Sequence, residues 1–565
     1  MRSDHILKCL FLLSLLLSIP TLFGPAFTTP APLMKVLIKP GAMSETVGKG
    51  DVDVTITVPG ANVAASAPLM SLNTMVPGSS KPQAVSRLTV TDALGPASLE
   101  SRDVDGVRKW SSTRAVKGEM VVRYRTTVEN TPLTQGGPPL APRIDGDGFS
   151  SVGSMFLISP KIETPYRVAI DWDLSAMGAG AAAVSSFGDG NVELPAGPVA
   201  RLNLSLFMAG HLKREPAEAV AHGFSSVWLG NPSFDPRPAM QWTGKLHSWM
   251  SSFFKDKSEP PYRVFLRFNP MNAGGGAALT HSFIVTYGEG VTGDSLKSIL
   301  GHEMTHTWTA NDLGKWYDEG NAVYYQALLP WRAGMITTDE FLADLNGTAS
   351  RYYTNLLKDT PDEQIAPRFW EDTRIRVLPY DRGAMYFAVL NGKIRRASGG
   401  KRSMDDLIGT MIVRARVGQP VTEAVWVEML RKEIGADGPA VHRSMMAGGL
   451  MLPASEDFGA CFRRTTKKIR RFELGFNPKS LVGGEKTIRG LMAESEAAKA
   501  GLREGDKVSY AVALDAVQGN VHRMLTLQVT RDGKTFPITY LPRGEAIDAY
   551  QWERIPGVPD SVCRK

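Results

Sequence analysis

Two histidines and a glutamate stand close together in the segment His302-Glu303-Met304-Thr305-His306. Positions i and i+4 of a helix lie on one face about 5 to 6 Å apart, so His302 and His306 are expected to hold one metal ion through their ring nitrogens. Zinc suits such ligands, and Glu303 would then lie beside the metal, where it can take a proton from bound water. Only nine histidines occur in the chain, so this spacing predicts a zinc site rather than an unrelated pair of core or surface residues.

A catalytic zinc site needs a third protein ligand, because two histidines leave the ion incompletely held. The best match is Glu319, in a segment that is expected to form a second helix with aromatic residues on its buried side. Asp318 is the neighbouring alternative. Successive helix positions point about 100° apart, so only one of these two carboxylates is expected to face the metal.

At these residues the chain resembles the glycyl aminopeptidase family of gluzincin zinc metallopeptidases, and more distantly the large zinc aminopeptidases. The resemblance rests on three motifs, which are His302-Glu303-x-x-His306-x-Trp308, Trp316-x-x-Glu319-Gly320 with Tyr324-Tyr325, and Tyr380-Asp381-Arg382-Gly383. It implies that Glu319 rather than Asp318 is the third zinc ligand. It also implies that Tyr380 is catalytic and donates a hydrogen bond to the oxyanion of the reacting carbonyl, while Glu303 activates water.

Ahead of the zinc helix, Gly274, Gly275, Gly276 and Ala277 are expected to form an edge strand that binds substrate. In the aminopeptidases that the chain resembles, an acidic residue follows these glycines and pairs with the substrate's amino terminus. Ala277 and Ala278 stand there in this chain. An aminopeptidase and an endopeptidase therefore both stay open, and the alternative from another class is a non-catalytic peptide-binding scaffold.

The elements that must position these residues are expected to form a multidomain α+β protein, because 565 residues are too many for one hydrophobic core. Period-two alternation with frequent turns predicts an N-terminal β-sandwich domain over residues 33–199. Within it, the stretch 177–190 is rich in glycine, alanine and serine and is expected to be a loop. Residues 200–460 turn from α+β to helical spacing, and there the resemblance implies a thermolysin-like catalytic domain.

The same resemblance implies a C-terminal PDZ domain over residues 465–548. Leu474, Gly475 and Phe476 are similar to the carboxylate-binding loop of PDZ modules, whose backbone amides receive a peptide C-terminus. The basic run at 463–471 is expected to be a solvated linker into this domain. The net charge is only +7, and no aromatic residues interleave with the run, so nucleic-acid binding is not expected.

Residues 1–26 have the layout of a secretory signal peptide, because basic residues precede an apolar run at 9–19 that is shorter than the roughly 20 residues that span a bilayer. An exported protein, periplasmic or secreted, without stable membrane insertion after cleavage is therefore expected. Cys461 and Cys563 remain after cleavage, and an oxidising compartment favours a disulfide between them. The expected cofactor is Zn²⁺, and the expected partners are a peptide or protein substrate and a peptide C-terminus at the PDZ domain.

Overall fold

The structure, a computed structural model, describes residues 30–75, 82–130, 140–269, 271 and 273–563. The predicted signal peptide, residues 1–26, lies outside the described residues. The chain divides into two compact units. One holds the described residues of Met1–Leu133, Gly137–His247 and Asp256–Leu296, and the other holds those of Ser248–Lys255 and Lys297–Lys565. The division after residue 296 falls inside the range 200–460 that the sequence predicts as one domain.

In the part of the chain that the structure describes, the first unit begins with sixteen strands in close succession. In chain order they are β1 (Leu33–Pro40), β2 (Lys49–Val63), β3 (Pro68–Asn73), β4 (Val85–Asp92), β5 (Gly95–Pro96), β6 (Leu99–Val104), β7 (Val107–Ser112), β8 (Val116–Glu129), β9 (Arg143–Asp145), β10 (Gly148–Val152), β11 (Ser159–Pro160), β12 (Tyr166–Trp172), β13 (Ala182–Ser185), β14 (Gly188–Asp189), β15 (Val192–Gly197) and β16 (Leu206–Gly210). In β2 the buried residues Val52, Val54, Ile56 and Val58 alternate with more exposed ones, which is the period of a strand with one covered face.

These strands pair into three sheets within the described residues. Seven of them pair in the order β15-β12-β1-β2-β8-β4-β5, which is antiparallel except for the parallel pair of β1 and β12. Four pair in the order β11-β3-β7-β6, and five pair in the order β14-β13-β16-β10-β9. One hydrophobic core contains Val54 of the seven-stranded sheet and Trp110 of the four-stranded sheet. These two sheets therefore bury their apolar faces in a common core.

The stretch 177–190 is not the loop that the sequence predicts. It contains β13 and β14, and β13 pairs with β16 through Ala182 to Ser185. The prediction was wrong because small side chains, which are common in loops, also allow close packing of a strand, and here Ala183, Val184 and Ser185 are buried in β13. The pairing of β16 with β10 and β13 also carries this sheet past residue 199, the predicted end of the first domain.

A five-stranded sheet completes the first unit. Its strands are β17 (Lys213–Glu215), β18 (Gly223–Trp228), β19 (Pro261–Phe268), β20 (Gly276–Leu279) and β21 (Ser282–Tyr287). They pair in the order β17-β18-β19-β21-β20, in which β18, β19 and β21 are parallel and β20 is an antiparallel edge strand. Every residue of β21 is buried, as expected for a parallel strand that is covered on both faces. Gly276 and Ala277 of the predicted substrate strand lie in β20.

Helices dominate the chain from residue 297 to residue 446. After α1 (Arg237–Phe253), which lies between β18 and β19, they are α2 (Lys297–Thr309), α3 (Lys315–Arg332), α4 (Thr338–Tyr353), α5 (Ile365–Arg368), α6 (Thr373–Arg376), α7 (Leu378–Ala397), α8 (Met404–Arg416), α9 (Glu423–Ile434) and α10 (Asp437–Met446). The helix α3 packs against α2 and α7. Within the described ranges, no helix is long and apolar enough to cross a membrane.

The C-terminal part of the second unit combines a long strand pair with a small module that has its own core. The elements are β22 (Phe462–Phe472), α11 (Glu496–Lys499), β23 (Lys507–Ser509), α12 (Leu514–Gly519), β24 (Leu525–Arg531), β25 (Lys534–Tyr540), β26 (Arg543–Arg554) and α13 (Asp560–Cys563). The strands β23, β24 and β25 form one sheet, and β22 pairs with β26. Leu474, Phe476, Leu527 and Ile538 belong to the core of the module.

The basic run at 463–471 lies in β22 and is not a linker. The antiparallel register sets Arg463 opposite Glu553 and Lys468 opposite Asp548, and both pairs form ion pairs across the strands. Charges that face opposite charges on a neighbouring strand stabilise the pairing. The prediction of a solvated linker was wrong because the acidic partners lie about eighty to ninety positions further along the chain.

A disulfide joins Cys461 and Cys563, whose Cα atoms are 5.2 Å apart. Cys461 directly precedes β22, and Cys563 ends the short helix that follows β26. The bond therefore closes the base of the β22–β26 strand pair. A crosslink across so many residues stabilises a fold mainly by restricting the unfolded chain.

Candidate metal centre

The helix α2 brings His302 and His306 together on one buried face. Their Nε2 atoms are 3.3 Å apart, and their ring planes are nearly perpendicular at 81°. The helix can lie close to α3 because residue 301 is glycine. A Cβ atom at Gly301 would stand 2.2 Å from the backbone carbonyl oxygen of Gln326, so any larger residue would push the two helices apart.

Glu319, in the first half of α3, completes a cluster with the two histidines. Its Oε2 atom is 3.4 Å from Nε2 of His302 and 3.5 Å from Nε2 of His306. The described residues contain one group of histidine, cysteine or carboxylate side chains whose donor atoms all lie within 4.8 Å of one another. This group consists of His302, His306 and Glu319. This part of the predicted ligand set is brought together by the packing of α2 on α3.

The three donor atoms match the geometry of a tetrahedral zinc ion. Ligands held at about 2.0 to 2.1 Å from such an ion lie about 3.3 to 3.4 Å from one another. The observed separations are 3.3, 3.4 and 3.5 Å. Two imidazole nitrogens with one carboxylate are also a known donor set of catalytic zinc, which leaves a fourth position for water or substrate. The residues therefore fit Zn²⁺.

Asp318 lies at the other side of His306 and is an outer partner of this histidine. Its Oδ1 atom is 2.9 Å from Nδ1 of His306, the ring nitrogen that points away from the cluster. A carboxylate in this place accepts the Nδ1 proton and fixes the tautomer that offers Nε2 to a metal. The two adjacent acids of α3 thus face different atoms, as their separation around the helix requires.

His302 has an outer partner that the sequence analysis did not find. Its Nδ1 atom is 3.2 Å from Oε1 of Gln326, and the amide nitrogen of Gln326 donates to both oxygens of the half-buried carboxylate of Asp344 at 3.0 Å. Ser298 also donates to Asp344, at 2.7 Å. This chain of hydrogen bonds turns the Gln326 oxygen towards His302. Gln326 follows Glu319 by seven positions, two helical turns, so helical spacing was the signal that could have revealed it.

Electrostatics distinguish the two glutamates of the site. Burial raises the pKa of Glu303, which lies close enough to sense the charges of His302 and His306. Burial also disfavours the charge on Glu319, but hydrogen bonds from His302 and His306 overcome it and lower the pKa of Glu319 well below its ordinary value. Glu319 is therefore suited to be an anionic ligand, and Glu303 is suited to carry a proton and release it.

Tyr380, near the start of α7, lies against the cluster. Its ring stacks on His302 with centroids 6.1 Å apart and an angle of 16°, and its hydroxyl lies close enough to Glu319 to sense the charge of this carboxylate. Burial, followed by the nearby charge of Glu319, raises the pKa of Tyr380 well above its ordinary value, so the hydroxyl keeps its proton and can donate. The helix α7 can come this close to α3 because residue 320 is glycine. A Cβ atom at Gly320 would stand only 2.6 Å from Cα of Gly383 and would push the helices apart.

The chain has the fold of a solved aminopeptidase N family protein from Idiomarina loihiensis. The TM-score is 0.65 at 15% sequence identity, over 94% of this chain and 99% of that chain. A variant of an M1 zinc metallopeptidase from Deinococcus radiodurans, bound to a Tyr-Ser-Ala substrate, is similar at a TM-score of 0.49 and 16% identity, over 75% of this chain and 95% of that chain. No family model and no curated protein matches the amino-acid sequence. The mixed α/β multidomain fold is thus shared with a known structure, while the chemistry has to be argued from the residues.

The predicted substrate strand forms in the first unit. Gly274 takes a φ of +79°, a value that favours glycine, and its amide donates to the carbonyl oxygen of Thr286 at 2.9 Å. Gly275 donates to the hydroxyl of Thr286 at 3.0 Å, and Gly276 and Ala277 continue as the edge strand β20 paired with β21. The four residues therefore lead into a strand at the edge of the five-stranded sheet.

The predicted carboxylate-binding loop lies at the start of the C-terminal module. Leu474 and Phe476 are buried in its core, and between them Gly475 has a φ of +84°. The carbonyl oxygen of Leu474 accepts from the hydroxyl of Tyr540 at 2.8 Å, and that of Gly475 accepts from the amide of Met492 at 2.9 Å. These bonds hold the loop through its carbonyl groups.

Proposed function

We propose that this protein is a zinc-dependent peptidase that hydrolyses peptide bonds with metal-activated water, and that it is an aminopeptidase-like gluzincin. The observation that carries the proposal is the tetrahedral spacing of the donors of His302, His306 and Glu319, with the buried carboxyl group of Glu303 beside them. The fold shared with an aminopeptidase N family structure supports the same class of enzyme. A non-catalytic scaffold, the alternative function, would not require Glu303 in this place.

Zn²⁺ at these donors would act as a Lewis acid on the substrate carbonyl and would lower the pKa of a water molecule. Glu303 acts first and takes a proton from the water molecule, while the oxygen of this water attacks the carbonyl carbon. When the bond from carbon to nitrogen breaks, Glu303 passes that proton to the leaving amine. The raised pKa of Glu303 suits both transfers, because a group that titrates nearer to neutral pH both accepts and releases a proton readily.

Tyr380 is proposed to stabilise the negative charge that develops on the carbonyl oxygen. Its hydroxyl lies beside Glu319, and burial keeps the hydroxyl protonated, so it can donate where the charge appears. A donor that is already in place and shielded from water stabilises such an oxyanion far more than water does. Tyr380 thus stabilises the negative charge, and Glu303 transfers the proton.

Substrate chains are proposed to add a strand to the open edge of β20. Gly276 and Ala277 in this strand leave room for a backbone to approach, and main-chain hydrogen bonds bind peptides with little regard to their side chains. Ala277 and Ala278 offer no carboxylate for a free amino terminus. An endopeptidase of the same fold is therefore the alternative within the enzyme class.

A set of peptides in free and N-acetylated forms tests the reaction and its position. We expect the purified protein to shorten the free peptides from the amino terminus and acetylation to stop this removal, as read by mass spectrometry. Equal cleavage of internal bonds in both forms would support the endopeptidase instead. Absence of cleavage in every peptide would contradict the proposed function.

We also propose that the C-terminal module is a PDZ domain that binds a peptide C-terminus. The turn at Gly475 supports this proposal. A nearby cavity is lined on one side by apolar side chains of the module, namely Leu474, Leu481, Val482, Tyr510 and Leu514, and on the other side by residues of the helical part, namely Trp370, Glu371, Asp372, Thr373 and Arg376. A fluorescent peptide with a free carboxyl terminus is expected to bind about 10-fold or more tightly than its amidated form, because a hydrogen bond to a charged group is stronger. Equal affinity of the two forms would refute carboxylate recognition.

Export to the periplasm or to the medium is part of the same proposal. The disulfide of Cys461 and Cys563 supports it, because such bonds persist in oxidising compartments and are rare in the cytosol.

A further inference from the structure

The short helix α12 of the C-terminal module contacts the helix that leads into α7, on which Tyr380 lies. It packs against α4 and α6. The carboxylate of Asp515 in α12 accepts from Nη2 of Arg376 at 2.6 Å and from Nε of the same guanidinium at 2.9 Å. It also accepts a hydrogen bond from the hydroxyl of Thr373. Asp515 therefore holds both ends of α6.

The backbone transmits the position of α6 to Tyr380. The amide of Val377 donates to the carbonyl oxygen of Thr373 at 3.1 Å, and the amide of Asp381 donates to that of Val377 at 3.0 Å. Val377 itself has helical backbone angles, so α6 runs into α7 without a flexible joint. Arg376 precedes Tyr380 by four positions, about one helical turn. A shift of α6 would therefore move Tyr380.

A second contact of α12 lies on the other side of Tyr380. The neighbouring residue Asp381 is fully buried and accepts from Nε of Arg351 at 2.7 Å. The end of α12 approaches this ion pair, since a Cβ atom at Gly519 would stand 3.2 Å from Nη1 of Arg351. The module thus lies close to Arg351, which fixes Asp381, and binds Arg376 of α6 directly.

We infer that Asp515 is a positioning residue for Tyr380, so that the C-terminal module helps to shape the active site through α6. By holding Arg376 and Thr373, it fixes the ring of Tyr380 against His302. This inference rests on the proposed function of Tyr380 as an oxyanion donor. Such a donor must be held within about 0.5 Å of its productive place, and a tether from the module meets that need.

The ion pair itself is expected to add little to stability. The side chain of Asp515 is 39% exposed, so solvent screens its attraction to Arg376. Loss of the pair is therefore expected to change the geometry of Tyr380 more than the stability of the fold. A displacement of a catalytic group by less than 1 Å is expected to lower kcat by about 10-fold.

The test compares Asp515→Asn with Asp515→Glu, which keeps the charge, and Thr373→Val, which removes the other tether. The matched control is Asp548→Asn. Asp548 lies outside α12 and forms an exposed ion pair with Lys468, in which the charged atoms are 3.1 Å apart. For each variant we would measure kcat and KM with a peptide substrate, the affinity of a phosphinic peptide that mimics the tetrahedral intermediate, zinc content and the thermal midpoint.

Asp515→Asn is expected to lower kcat about 10-fold, to weaken the phosphinic peptide by a similar factor and to leave KM and zinc content near the wild-type values. Asp515→Glu is expected to keep part of the activity that Asp515→Asn loses. The double variant with Asp515→Asn and Arg376→Gln is expected to be little less active than Asp515→Asn, since both changes remove the same ion pair. If the wild-type protein hydrolyses peptides but Asp515→Asn and Thr373→Val have the same kcat as Asp548→Asn, Asp515 does not position Tyr380. That result would leave the proposed function intact. A wild-type protein that hydrolyses no peptide would refute the proposed function and, with it, this inference.

Discussion

Replacing Glu303 by glutamine is expected to lower kcat for peptide hydrolysis by about 10³-fold, because the amide cannot take the proton from the attacking water. Glutamine has nearly the same size, so the buried site around His302 and His306 should keep its shape. The zinc content is expected to stay at the wild-type level, since Glu303 is not one of the three converging donors. Steady-state kinetics together with elemental analysis checks both expectations.

The matched control for this change is Glu428→Gln. Glu428 lies on α9 and is 50% exposed, so its substitution removes the same charge far from the buried cluster. This variant is expected to hydrolyse peptides at the wild-type rate. A Glu303→Gln protein that is as active as Glu428→Gln would contradict the role of Glu303 as the general base.

The second large effect is expected at the third ligand. Glu319→Gln should lower the affinity for zinc by at least about 10²-fold, because a neutral amide replaces the anionic donor. Activity should fall with the zinc content and return in part when zinc is added in excess. Equilibrium dialysis with elemental analysis measures the affinity.

Asp318→Asn is the matched change at the neighbouring position. Asp318 faces Nδ1 of His306 and not the centre of the cluster, so the loss of its charge should weaken zinc binding by about 10-fold or less. Asp318→Asn would then keep most of its zinc at concentrations where Glu319→Gln has lost it. The reverse order of affinities would show that the ligand assignment within α3 is wrong.

The convergence of His302 and His306 could be predicted from the sequence because the two residues are close in the chain. Two histidines four positions apart share a helix face wherever the helix packs. Spacing alone left the proposed third ligand open between Asp318 and Glu319. The rotation of α3 against α2 decides which of them faces His302, and this rotation depends on the close contact at Gly301.

Other parts of the site depend on contacts between distant residues and could not be predicted. Asp515 reaches Arg376 across 139 positions, and no local pattern indicates that pairing. The basic strand β22 was missed for the same reason, because the acidic partners of Arg463 and Lys468 lie on β26. The catalytic role proposed for Tyr380 rests on the resemblance of its motif, because its spacing alone is also typical of a core tyrosine.

The most direct test of zinc-dependent peptide hydrolysis is the digestion of a mixed peptide library by the wild-type protein and by Glu303→Gln, read by mass spectrometry at equal zinc content. We predict that new peptide ends appear with the wild-type protein and are absent with the variant over the same time. Zinc-dependent hydrolysis with Glu303 as the general base would be contradicted if both proteins produced the same ends at the same rate, or if neither produced any.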